Sequence, residues 1–157
     1  MHKIMLNVKP FLQSASMCGP ASLKMVLEYF GTKKSEKELV LLSKATASKG
    51  TTAENLVRAA KKLGFHAFTK DFSSIKEIKK YIDKKTPVIV DWFSGDDGHY
   101  SVVADIDKKF IYLQDPDLNK INKLDLITFQ RVWFDFEGDM LKRKQDIFIR
   151  RLIVVYP

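Results

Sequence analysis

Apolar residues recur at three-and-four spacing through the first half of this 157-residue chain and at alternate positions through much of the second. Leu23, Val26, Leu27 and Phe30 line one face of a helix that starts near Cys18, and Gly31 supplies its left-handed stop. Pro20 is tolerated only in a first turn, where its missing N–H has no intrahelical partner, so the start lies within a residue or two of Cys18. Ser35 and Glu38 form a capping-box pattern that opens a second helix over 36–44. A third begins after Thr51 or Thr52 and runs to Leu63, with Leu56, Ala59, Ala60 and Leu63 on one side and Gly64 after it. Ser74 and Glu77 repeat the capping pattern before a fourth helix that buries Ile75, Ile78 and Ile82.

Strand periods frame and follow these helices. Residues 3–9 read as a short strand, 65–69 alternate, and from Pro87 onward strands are expected over 88–93, 99–106 and 110–114, with turns at 94–98 and 107–109. Phe129, Val132, Trp133 and Phe136 give one more helical stripe, and 147–155 reads as a closing strand. Helices first and sheet second is an α+β pattern. The expected organisation is a single domain over 1–157, with a mainly helical lobe over 1–86, a mainly antiparallel sheet lobe over 87–157, and a cleft between them.

Composition narrows the function classes. The apolar and charged fractions, 45% and 29%, are those of an ordinary globule, and no apolar run reaches the length of a membrane span. A single cysteine excludes an intramolecular disulfide and a multi-cysteine zinc site. The N-terminus lacks a signal peptide's apolar centre, so the expected location is the cytoplasm. Net charge is +8 but uneven: residues 1–90 hold 17 Lys and Arg against 7 Asp and Glu, whereas 91–157 hold 10 against 12. A basic first half suits solvated helix faces or an acidic partner. Nucleic acid is disfavoured, because no groove-reading or base-stacking motif accompanies the charge.

The chemistry centres on Cys18, since a helix N-terminus favours a thiolate. Such a nucleophile needs a base, a group to orient that base, and donors for an oxyanion. Of the three histidines, His2 lies near the terminus and His66 within an alternating strand, whereas His99 follows a glycine-rich turn and opens an apolar strand. If that strand and the next are antiparallel neighbours, Asp115 comes beside His99 and fixes its tautomer. Gln13, shortly before Cys18, is the candidate to complete an oxyanion hole with the Cys18 backbone N–H.

Gln13 followed by Cys18-Gly19-Pro20-Ala21, Met25-Val26-Leu27 and Tyr29-Phe30-Gly31 resembles the nucleophile segment of cysteine peptidase family thirty-nine. The likeness extends to residues 98–103, to Asp115-Pro116, to the stripe over 129–133 and to 153–155. These are papain-like enzymes, the best-known of which cut bacteriocin leader peptides after a double glycine. The resemblance implies Cys18 as nucleophile, His99 as general base and acid, Asp115 as its orienting partner and Gln13 in the oxyanion hole. It departs in spacing, with four residues between Gln13 and Cys18 where five are common, and Met17 where an aspartate often stands. The chain has neither a span nor a Walker A sequence, so the expectation is a free-standing peptidase acting through a thioester, without metal or organic cofactor. Its substrate would be a peptide or protein, with an acidic leader segment and a separate membrane transporter as candidate partners. A non-cleaving peptide-binding module and a Cys-dependent acyl transferase are the alternatives on the same fold.

Overall fold

The computed structural model describes residues 5–157; His2 and the start of the strand expected over 3–9 lie outside them. Helix α1 (Cys18–Tyr29) ends as its sequence requires. Gly31, at φ +92°, brings its N–H to Glu28 O and the Thr32 N–H to Leu27 O, both at 2.9 Å, which together satisfy two orphan carbonyls. Helix α2 (Glu36–Leu42) opens on the expected capping box of Ser35 and Glu38. It stops before residue 44 because Lys44, at φ +54°, turns the chain so that the Ala45 N–H returns to Val40 O. Thr52 caps α3 (Ala53–Lys62) and Ser74 caps α4 (Ile75–Asp83).

One antiparallel sheet carries β1 (His66–Lys70), β2 (Val88–Ser94), β3 (Asp97–Ile106), β4 (Phe110–Asp115), β5 (Lys120–Asp125) and β8 (Arg151–Tyr156), in the order β1-β8-β2-β3-β4-β5. Strands β2, β3 and β8 are its buried centre, which explains why they read as nearly unbroken apolar runs. Leu23, Val26 and Leu27 of α1 join Val88, Ile89, Val102 and Val154 in one core from which water is excluded. Each such side chain contributes about 1.5–3 kcal/mol by burial. Helix α1 packs on β2 and β3, and α3 lies over β1 and β8. The nucleophile-bearing helix end is thereby held against the middle of the sheet.

Several features depart from the sequence pattern. First, β2 and β3 meet in a tight hairpin at Gly95-Asp96, with Ser94 opposite Asp97 and Gly95 at φ +71°. His99 is therefore the third residue of β3 rather than its first, and 94–98 is mostly paired strand. Second, α5 (Leu126–Val132) ends before Trp133, and Phe134–Phe136 forms β6. Phe134 and Phe136 both stack on Phe93, with centroids 5.2 and 5.4 Å away, an alternate-residue contact that a helix could not make. Third, the closing strand breaks at Arg150 (φ +51°), so that β7 (Ile147–Ile149) pairs with β6 and β8 joins the main sheet. Fourth, the polar edge strand β5 has too little alternation to be read from sequence. Residues 5–9 form no strand, although the Leu6 N–H donates to Ala104 O at 3.0 Å, where β3 bulges.

Candidate active site

Cys18 is the first residue of α1. Met17 at the N-cap makes no side-chain bond, so no capping group takes up the N–H donors at this helix start. Gly19 permits the close approach that follows. A Cβ there would lie 2.7 Å from the Thr51 methyl and 3.4 Å from the Tyr100 ring. Tyr100, from β3, anchors the facing loop by donating its hydroxyl to Thr51 O at 3.2 Å. Helix start, loop and strand thus converge on the thiol.

His99 and Asp115 meet as the antiparallel register dictates. Val102 pairs with Gln114, so the next step along puts Ser101 opposite Asp115, and His99 occupies the diagonal position on the same face. His99 Nε2 lies 2.7 Å from Asp115 Oδ1, and the imidazole also hydrogen-bonds Cys18. Burial disfavours the imidazolium, but bonding to Asp115 and Cys18 outweighs it and pushes the His99 pKa up to about 10. Burial likewise opposes ionisation of Asp115. The bond from His99, joined by the Asp117 N–H at 3.0 Å and Asn122 Nδ2 at 3.4 Å, wins and holds this carboxyl below its ordinary range. Trp92 packs edge-to-face with the His99 ring, centroids 5.9 Å apart, and its indole N–H is tied to Ser101 Oγ at 3.0 Å.

Gln13 is anchored beside this group through its backbone, whose N–H donates to Pro116 O at 2.9 Å, one residue beyond Asp115. Its side-chain Nε2 donates to Ser14 O at 3.3 Å, and Oε1 is buried with no hydrogen-bond partner among the described residues. His66 stands apart, exposed on β1 and stacked on Tyr156 at 5.1 Å.

A cleft of about 660 Å³ opens beside Cys18, between the 44–55 segment on the helical side and strands β2, β3, β6 and β8. Two residues in its wall escaped the reading of the sequence. Asp91, 1% exposed within β2, and Asp135 on β6 are hydrogen-bonded to each other. Burial first, and then the neighbouring carboxyl, pushes Asp91 well above the ordinary carboxylate range; burial raises Asp135 as well. The available signal was an aspartate inside the apolar run of β2, a costly placement without a purpose. Among the described residues no group of three or more side chains could hold a metal ion, and no helix is long and apolar enough to cross a membrane.

The family model described as Peptidase C39 family matches residues 8–137. An uncharacterized protein of Methanothermobacter marburgensis is 35% identical over 136 residues, covering 85% of this chain and 87% of that protein. The transport/processing ATP-binding protein ComA of Streptococcus pneumoniae is 35% identical over 118 residues, covering 74% of this chain but only 16% of ComA. The crystal structure of the peptidase domain of Streptococcus ComA, a bi-functional ABC transporter, superposes with a TM-score of 0.76 at 29% identity, covering 96% of this chain and 99% of that domain. A model match across most of the sequence and a papain-like fold shared end to end establish that the chain belongs to the Peptidase C39 family of cysteine peptidases.

Proposed function

We propose that this chain hydrolyses peptide bonds with Cys18 as nucleophile, His99 as general acid and base, and Asp115 as the group that orients and charges His99. The observation that carries the reading is the single imidazole bonded on one side to Asp115 and on the other to Cys18. Cys18 sulfur attacks the scissile carbonyl carbon. The resulting oxyanion is received by the Cys18 N–H, which no cap occupies, and by the Gln13 amide. His99 protonates the departing amine, leaving a thioester, and neutral His99 then takes a proton from the water that resolves it. The ComA relative, named for transport and processing, supports an exported peptide's precursor as substrate and a transporter as partner. The basic first half supports an acidic leader segment. The Methanothermobacter relative, matched over 87% of its own length, supports a free-standing peptidase. A thiol nucleophile that must stay reduced supports the cytoplasm as its location.

The test is Cys18→Ala, with the fold monitored by circular dichroism. Cleavage of a leader-type peptide should vanish while the spectrum is unchanged; turnover persisting in the variant overturns the mechanism. Iodoacetamide should label Cys18 faster at neutral pH in the native chain than in His99→Ala.

A further inference from the structure

Only four residues separate Gln13 from Cys18, and the chain closes that short link as a tight turn. The Met17 N–H donates to Ser14 O at 3.0 Å, and Ser16 takes a left-handed conformation (φ +65°) that a turn usually reserves for glycine. The same Ser14 carbonyl accepts Gln13 Nε2 at 3.3 Å, while Gln13 Oε1 is buried. The amide thus commits one N–H to Ser14 and keeps the second for an oxyanion. Where Ser14 sits therefore decides where the Gln13 amide points. Two groups from outside the turn hold this segment. Pro116 O takes the Gln13 N–H at 2.9 Å. Glu36, the first residue of α2, engages Ser14 with both carboxylate oxygens: Oε2 accepts the Ser14 N–H at 2.8 Å, and Oε1 accepts the Ser14 hydroxyl at 2.5 Å. The start of α2 does not need this carboxylate, because Ser35 and Glu38 already satisfy each other's backbone N–H groups. Two charge-assisted bonds therefore tie the turn before the nucleophile to a helix 22 positions further on.

We propose that Glu36 is a positioning residue for the oxyanion hole: by holding Ser14, it fixes the aim of the Gln13 amide at the oxygen that develops negative charge. This rests on the peptidase reading above and deepens it. Without the carboxylate the turn is free to relax its left-handed Ser16, and the amide loses the fixed direction that makes a preorganised donor effective. Glu36 acts through Ser14, so it matters to steps that place charge on the carbonyl oxygen, which are formation of the thioester and its hydrolysis. Alkylation by iodoacetamide forms a sulfur–carbon bond as the carbon–iodine bond breaks. It builds no oxyanion and should be indifferent to Glu36.

The test sets a leader-type peptide ending in an aldehyde, whose adduct with Cys18 places an oxygen in the oxyanion hole, against iodoacetamide. In Glu36→Ala the aldehyde's inhibition constant should rise about 10- to 100-fold and kcat should fall in step, with KM within about threefold of native. The iodoacetamide rate should stay within about twofold of native. Glu36→Gln can still accept the Ser14 N–H and donate to its hydroxyl, and should return both constants to within about fivefold. Ser14→Ala removes one of the two bonds; it should show the same split in smaller measure, and it decides the matter if Glu36→Ala does not fold. Weakened aldehyde binding in Gln13→Ala, with native binding in Glu36→Ala and Ser14→Ala, would overturn the positioning role while the peptidase reading stands. Aldehyde affinity and iodoacetamide rate falling together in Glu36→Ala would also overturn it, as a general disturbance of the helix start. If Gln13→Ala binds the aldehyde as the native chain does, Gln13 does not serve the hole and Glu36 has nothing to position. If the native chain neither cleaves the peptide nor binds its aldehyde better than Cys18→Ala does, the peptidase reading fails and this role with it.

Discussion

Asp115→Asn keeps the side chain's shape and removes its charge, so it isolates what the carboxylate does for His99. The imidazole titrates at about 10 in place of 6.5, even though burial works against the charged form. At about 1.4 kcal/mol per pH unit, that gap corresponds to on the order of 5 kcal/mol in favour of the imidazolium. Asp115 and Cys18 share it, each through a hydrogen bond and through charge. Assigning Asp115 roughly half, its loss costs about 2 kcal/mol and lowers the His99 pKa by one to two pH units. The sign follows directly: a raised imidazole keeps its proton until the pH passes about 10, so losing the carboxylate moves the alkaline limb of kcat/KM to lower pH. An Asn amide can also present its N–H to Nε2 and favour the wrong tautomer, so kcat/KM at neutral pH should fall by about 10²–10⁴. Kinetics from pH 5 to 11 with a fluorogenic peptide, alongside iodoacetamide rates over the same range, measure both effects. An alkaline limb in the variant that overlays the native one would refute the assignment of Asp115's charge to His99.

Two further substitutions probe the scaffold. Gly98→Ala should force the Asp135 carboxyl out of its seat, costing about 1–3 kcal/mol in urea unfolding; a change below about 0.5 kcal/mol would show that this contact does not constrain the site. Lys85 closes α4 at φ +62°, with the Thr86 N–H reaching Tyr81 O, a geometry in which Gly carries no Cβ penalty. Lys85→Gly should therefore leave stability unchanged or raise it by up to about 1 kcal/mol, and a loss of more than that would contradict the cap geometry.

Much of the site's chemistry was readable because its components carry strong local signals. Cys18 stands out through Pro20 and the apolar stripe behind it, and the pairing of His99 with Asp115 follows from one turn at 107–109 and the antiparallel register. The hairpin at Gly95-Asp96 was harder, because Asp97 and Gly98 resemble turn residues and are strand residues only once Ser94 pairs with Asp97. Phe136 fits a helical stripe and a strand equally well on paper, and its stacking on Phe93 decides for the strand. The acid pair escaped notice because Asp91 and Asp135 are 44 positions apart, and neither position is unusual until β6 folds over β3.

Local physics written in the sequence determined where the capped helices begin, which strands are buried, and which side chains could form a thiol, imidazole and carboxylate relay. Caps, stops and periodicity act between residues a few positions apart, so they are legible without the fold. The tertiary structure alone decided the distances: His99 Nε2 at 2.7 Å from Asp115, Tyr100 against Gly19, and Asp135 in the space that Gly98 leaves open. It also decided the charge state of the site, because burial and proximity raise or lower a pKa and neither exists until distant segments pack together.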